Sequence, residues 1–188
     1  MIQPTATTKD AQRRHALIEQ LHRVDGKAEI VQGEIVHMAA AGDSHARASG
    51  RIYLSLMRHE ESKGGGRAYA DNCGFLCNLP ERWSFSPDAA WYTGEPAGEE
   101  FLPEPPVFAV EIRSKDEYGE AAERRLADKR TDYFAAGTQV VWDVDLFRDE
   151  CVRVHRKDDP ESVETFGRGD SADAEPAWWM SVDELLKL

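Results

Sequence analysis

Apolar residues recur along the chain at two kinds of spacing, and the change from one to the other marks out the elements. Leu17, Ile18, Leu21 and Val24 fall at helical intervals behind Thr8, and Gly26 stands where a helix would end, so a first helix is predicted there. AEIVQGEIVHMA then reads as two short extended runs separated at Gln32-Gly33, a hairpin or a bulged strand. Asp43 or Ser44 can cap a second helix running to about Glu61, with Ala48, Ile52, Tyr53 and Leu56 facing inward and Gly64-Gly65-Gly66 stopping it. Extended segments follow near 67–79, 85–92 and 107–113, and then a third helix over roughly 117–136 that ends at Gly137. QVVWDVD reads as a strand, and CVRVHR with SVETF as a hairpin or meander around the acidic KDDP turn. Ser181 and Glu184 are placed as a capping box for a short terminal helix. Strands grouped in blocks between helices indicate an α+β or mixed α/β sandwich in preference to a repeated βαβ array.

Length changes this picture little. At 188 residues and 41% hydrophobic content, one sizeable core and a single domain over 1–188 are expected. No apolar run approaches a membrane-spanning helix, and the first residues, MIQPTATTKD, have neither a basic nor an apolar leader region, so a soluble cytoplasmic protein is expected. The three cysteines, Cys73, Cys77 and Cys151, lack zinc-ribbon spacing and are expected as reduced thiols.

Charge matters more. A net charge of -12 argues against a protein that grips phosphate over its whole surface, because such binding depends on Lys and Arg displacing counterions. The acids are concentrated, however: residues 95–104 and 158–175 contribute -4 and -6, leaving -2 for the remainder. Two acidic loops, 93–106 and 157–176, are therefore expected on a nearly neutral body that can present a local basic groove. The stretch 167–176 is read as a mobile loop.

Three residues stand out chemically. VFAVEIR is an almost continuous apolar run, as for a strand buried on both faces, yet Glu111 lies near its middle. A buried carboxylate pairs, protonates or binds a cation, and Arg113, two residues on and on the same face, offers an internal ion pair as the plain alternative. Asp88 follows Pro87, whose ring stiffens the backbone entering DAAWY; an exposed turn aspartate is the plain alternative there. An antiparallel pairing of 85–92 with 107–113 would bring Asp88 and Glu111 together, and two such acids repel unless a hard divalent cation, magnesium or manganese, lies between them. In the third helix Ala122, Leu126, Lys129, Tyr133 and Ala136 form one stripe, so Lys129 either meets carboxylates or extends its amine to water.

Taken in order, SPD, AVEIRS and DKRTDYFAAGTQVVWDVD resemble the bacterial Uma family of restriction endonucleases, within the PD-(D/E)XK restriction-endonuclease-like superfamily. The matching positions are Asp88, Glu111, Ser114, Lys129, Tyr133, Gly137, Trp142 and Asp145. The likeness reaches back to GEIVHMA and His45 and forward to the terminal helix. It implies a central mixed β-sheet flanked by helices, with an additional β-hairpin near the C-terminus. It further implies Asp88, Glu111 and Lys129 as catalytic residues, with Asp88 and Glu111 binding Mg²⁺ or Mn²⁺. The superfamily's usual lysine, two residues after the acid, is here Arg113, so either Lys129 or Arg113 fills that role. Glu34, His45 and Tyr133 are further accessory candidates; for His45 a helix-surface or capping role is the plain alternative.

The implied activity is metal-dependent endonucleolytic hydrolysis of nucleic acid, DNA in the first instance, by a homodimer. The rival reading keeps the fold without the reaction: an inactive binding or regulatory module whose acids survive as ion pairs. Hydrolysis through Ser44 and His45 is disfavoured, because no nucleophile-elbow motif is present and adjacent helix side chains diverge.

Overall fold

The computed structural model describes residues 8–115, 117–174 and 178–188. The elements are α1 (Thr8–Leu21), β1 (Ala28–Val31), β2 (Glu34–His37), α2 (Asp43–Lys63), β3 (Arg67–Ala70), β4 (Phe75–Leu76), β5 (Ser84–Phe85), β6 (Ala89–Tyr92), β7 (Phe108–Ile112), α3 (Glu120–Ala136), β8 (Val140–Val144), β9 (Val152–Arg156), β10 (Asp159–Phe166), β11 (Ser171–Ala174), β12 (Trp178–Ser181) and α4 (Val182–Leu185).

Six strands form the central sheet in the order β10-β9-β8-β7-β6-β3. It is mixed: β7 and β8 run parallel, joined through α3, while its other neighbours are antiparallel. The sheet's centre is apolar because both of its faces are covered. On one face Ala48, Ile52 and Leu56 of α2, with Trp178, Met180, Val182 and Leu185, pack against Trp91, Phe108, Val110 and Trp142. On the other, Tyr133 of α3 joins Phe75, Phe85, Leu102, Ala109 and Val141. Side chains such as Trp91, Trp142 and Phe108, fully buried here, each contribute roughly 1.5–3 kcal/mol through burial.

The hairpin expected at AEIVQGEIVHMA forms, with Ala28 opposite His37 and Val31 opposite Glu34. Its turn takes Gln32 and Gly33 to φ of 53° and 71°, left-handed values of the kind a tight hairpin loop requires. α1 packs Leu17, Ile18 and Leu21 on this hairpin.

Several local expectations are corrected. The segment 67–79 is broken at Asn72, with φ 68°, so that β3 joins the central sheet and β4 pairs with β5 in a sheet of its own. Helix α2 starts behind Gly42, with no side-chain cap from Asp43 or Ser44. The acidic loop expected over 157–176 is not seen across its described part, 157–174, because β10 pairs with β9 and β11 with β12; its last two residues lie outside the described residues. Alternation explains this: Ala172 and Ala174 point inward while their acidic neighbour Asp173 points out, so charge and strand coexist. The Ser181–Glu184 capping box is also absent; the Val182 amide instead donates to the Asp170 carbonyl at 3.0 Å.

Candidate active site

Asp88 is positioned by the strand pair that it begins. Its amide donates to the Val110 carbonyl at 2.9 Å, and its Oδ2 accepts from the Ile112 amide at 2.6 Å. Ala89 is in register with Val110, so these two bonds straddle Glu111. The carbonyl of Asp88 accepts from the Ser49 hydroxyl of α2 at 2.6 Å, tying the site to the helix behind the sheet. Asp88 and Glu111 thus meet at one end of the β6/β7 pair, as the antiparallel reading predicts.

Glu111 points to the α3 face. Its Oε1 accepts from the Tyr133 hydroxyl at 2.6 Å and its Oε2 from the Lys129 ammonium at 2.8 Å. The Lys129 nitrogen also lies 2.9 Å from Oε1 of Glu29, the buried acid of β1. Lys129 therefore bridges two carboxylates and does not extend to water. Burial disfavours its charge, but Glu111 and Glu29 outweigh that and raise its pKa. Glu111 itself is pushed up, by burial first and then by the nearby Asp88 and Glu29 charges against the pull of Lys129. For Glu29 burial is outweighed by Lys129 and Arg82, and its pKa falls. Glu29 is further held by the Ser86 amide at 2.8 Å and by an ion pair with Arg82. Arg82 in turn reaches Asp132 at 2.8 Å.

A second pole surrounds Asp88 Oδ1. The Lys27 ammonium lies 2.5 Å from it and 2.7 Å from Asp71 Oδ1, and His45 Nε2 lies 3.2 Å from Asp88 Oδ1. Burial would raise the Asp88 pKa, but the His45 hydrogen bond and the Lys27 charge prevail and bring it down to about 2. Burial likewise opposes charge on His45, and Asp88 overcomes it, so the imidazole pKa rises. His45, Asp71 and Asp88 each offer one donor atom, all within 4.8 Å of one another. Two carboxylates and one imidazole form a donor set that suits manganese well and magnesium through its oxygens.

Of the residues singled out in the sequence, Asp88, Glu111, Lys129, Tyr133 and His45 come together here. Arg113 does not join them: its guanidinium donates to Asp143 at 2.8 and 2.6 Å and to Glu123 at 2.9 Å. The proposed Glu111–Arg113 pair is thereby replaced, since Asp143, beside Glu111 on β8, captures the arginine as a bidentate partner. Glu34 is exposed next to the hairpin turn, and the hairpin's contribution to the cluster comes from Glu29. Lys27, Glu29, Asp71 and Arg82 were not singled out. Glu29 carries the signal that identified Glu111, a carboxylate among apolar strand neighbours Ala28, Ile30 and Val31; Lys27 and Asp71 carry none. The cysteines are free, and burial raises Cys73 to about 11 and Cys77 to about 12, so neither offers a ready thiolate.

Residues 16–183 match the family model Uma2, described as "Putative restriction endonuclease". A crystal structure from Anabaena variabilis, titled a "putative nuclease belonging to DUF820", superposes with a TM-score of 0.70 at 17% identity, covering 90% of this chain and 96% of that one. At that identity the likeness is one of fold. No curated protein matches the chain.

Proposed function

Because the chain belongs to the Uma2 family, we propose that it is a metal-dependent endonuclease that hydrolyses phosphodiester bonds of nucleic acid, DNA in the first instance. One observation carries the reading: Lys129 bridges Glu111 and Glu29, and Asp88, just ahead of β6, lies near enough for its charge to raise the Glu111 pKa, so acids and an amine distant in sequence are gathered at one end of the β6/β7 pair. An ion-pair network of purely structural origin would not require this arrangement at the end of a strand pair where Asp88 is fixed by backbone bonds on both sides of Glu111.

Asp88 would hold a Mg²⁺ or Mn²⁺ ion together with His45 and Asp71, whose donor atoms lie within 4.8 Å of its own, and Glu111 would be the further carboxylate available to it. Such an ion supplies charge neutralisation to a phosphodiester and lowers the pKa of a bound water. The chain's own groups do the rest. Lys129, kept protonated by its two carboxylates, presents a fixed positive charge where negative charge develops on the phosphoryl oxygens. Tyr133 and Lys129 together hold the Glu111 carboxylate in one orientation, and Glu29 holds Lys129. The hairpin strand β1 therefore orients the amine, and α3 orients the acid. Cutting both strands of a duplex calls for two such sites, which a homodimer provides.

The test is cleavage of plasmid, single-stranded DNA and RNA with and without Mg²⁺ or Mn²⁺ by the wild type, Asp88→Ala and Glu111→Ala. Loss of cleavage in both variants with the fold retained is expected, and cleavage at wild-type rates by both removes the proposed site. A second reading, an inactive nuclease-fold module, draws support from the acids being already paired with Lys27, Lys129 and Arg82. It predicts no carboxylate-dependent binding of Mn²⁺, with or without DNA.

A further inference from the structure

Strand β1 and the residue just before it supply one charged side chain to each pole of the site. Glu29, an anion, goes to the Lys129 pole, and Lys27, a cation just before the strand, goes to the Asp88 pole. The Lys27 ammonium touches both Asp88 Oδ1 and Asp71 Oδ1, the carboxylates that with His45 form the compact donor group. It is 15% exposed at its side chain, and its backbone is pinned by the Met38 amide donating to the Lys27 carbonyl at 2.9 Å. The amine is therefore carried on a fixed hairpin by a flexible four-carbon stem.

We propose that Lys27 is a tethered counter-ion that occupies the cation position of Asp88 and Asp71 and is displaced when a divalent ion binds there. The inference rests on the metal-dependent reading above. Without a cation, Asp88, Asp71 and Glu111 would repel one another in a site of low dielectric, and the lysine relieves that repulsion. An incoming ion needs the same oxygens. Ammonium and metal ion thus exclude each other, and the apparent affinity for metal is reduced by whatever Lys27 contributes to holding the carboxylates. The displaced amine stays within reach of the cleft on its stem. Lys27 is accordingly a positioning residue that sets the metal concentration at which the site loads.

The experiment is Mn²⁺ binding to the full chain without nucleic acid, followed by electron paramagnetic resonance and calorimetry, for the wild type, Lys27→Met, Lys27→Gln, Asp71→Asn with Lys27→Met, and Asp88→Asn. Removing a unit charge in contact with the ligands is expected to tighten Mn²⁺ binding by about 10- to 100-fold. Asp71→Asn in the Lys27→Met background is expected to reverse most of that gain, and Asp88→Asn to abolish binding. Unchanged or weaker binding in both Lys27 variants, with Asp88→Asn still abolishing it, overturns the counter-ion and leaves the metal reading intact. Absence of Asp88-dependent binding in every variant overturns both. A measurement on the wild type guards against misfolded variants: the Lys27 Nζ–Hζ resonance, protected by its two carboxylates, is expected to vanish on saturation with Mg²⁺. Calorimetric binding of Mg²⁺ with that resonance unchanged also overturns the displacement.

Discussion

Asp88 closes a hydrogen bond across the sheet to Ile112, its Oδ2 accepting from the Ile112 amide at 2.6 Å, so the carboxylate that would bind metal also completes a strand ladder. The two duties separate by substitution. Asp88→Asn keeps an acceptor for Ile112 and removes the charge, whereas Asp88→Ala leaves a buried amide unsatisfied, at a further cost of about 1–3 kcal/mol. Both variants are expected to lose metal-supported cleavage, and denaturant titration should find only the alanine variant appreciably destabilised by the missing acceptor. Equal stability of the two would show that the Ile112 bond contributes nothing.

Lys129 is the only described cation in ion-pair contact with both Glu29 and Glu111. Lys129→Met leaves Glu111 without a cation and Glu29 with Arg82 alone, two like charges no longer bridged in the interior, and breaking a buried pair in this way costs roughly 3–5 kcal/mol. Adding Glu111→Gln should restore part of the stability, because one of the stranded charges is then gone, without restoring cleavage. A double-mutant cycle by chemical denaturation, run beside the nuclease assay, checks both statements; strictly additive destabilisation would deny the coupling.

Arg113 and Lys129 have different partners, and substitution distinguishes their roles. Its guanidinium is spent on Asp143 and Glu123, with a raised pKa set first by the Asp143 hydrogen bond and then by that from Glu123. Arg113→Met is expected to destabilise the protein by about 3–5 kcal/mol, again because a buried acid loses its partner, while the folded fraction cleaves at close to the wild-type rate. Lys129→Met should lower the rate by about 100- to 1,000-fold, the scale for removing one group that stabilises developing charge. A reversal of this order would transfer the lysine role to Arg113.

His155 provides a pH test away from the Asp88 cluster. It lies opposite Val141 on β9, and burial, reinforced by Arg130, lowers its pKa to about 4 from an ordinary 6.5. Above pH 6.5 both folded and unfolded chains hold it neutral, so the folded state bears no penalty there. As pH falls from 6.5 to about 4 the unfolded chain takes up the proton and the folded one does not, so about 3 kcal/mol of stability is lost across that window. His155→Gln should flatten this part of the stability profile, measured as denaturant midpoints between pH 4 and 7; an unaltered slope would place the titration elsewhere.

The sequence by itself determined the local elements and the three residues of unusual chemistry. Helical spacing placed α1, α2 and α3, the apolar run placed β7 around Glu111, and the stripe of α3 set Lys129 in line with Tyr133. A single loop between two strands allowed an antiparallel pairing that would set Asp88 beside Glu111; the register itself, Ala89 opposite Val110, was decided by the assembled sheet. Tertiary structure alone decided the partners. Docking of the hairpin against the Ser84–Arg82 region, through the Val31–Arg82 bridge and the Ile30 amide donating to the Ser84 hydroxyl at 2.8 Å, brought Lys27 and Glu29 to the site and left Glu34 in solvent. Parallel pairing with β8 put Asp143 next to Glu111 and drew Arg113 away. Periodicity records which face of an element is buried, a property each segment carries in its own residues. The choice of ion-pair partner depends on distances between segments that meet only after the sheet has assembled.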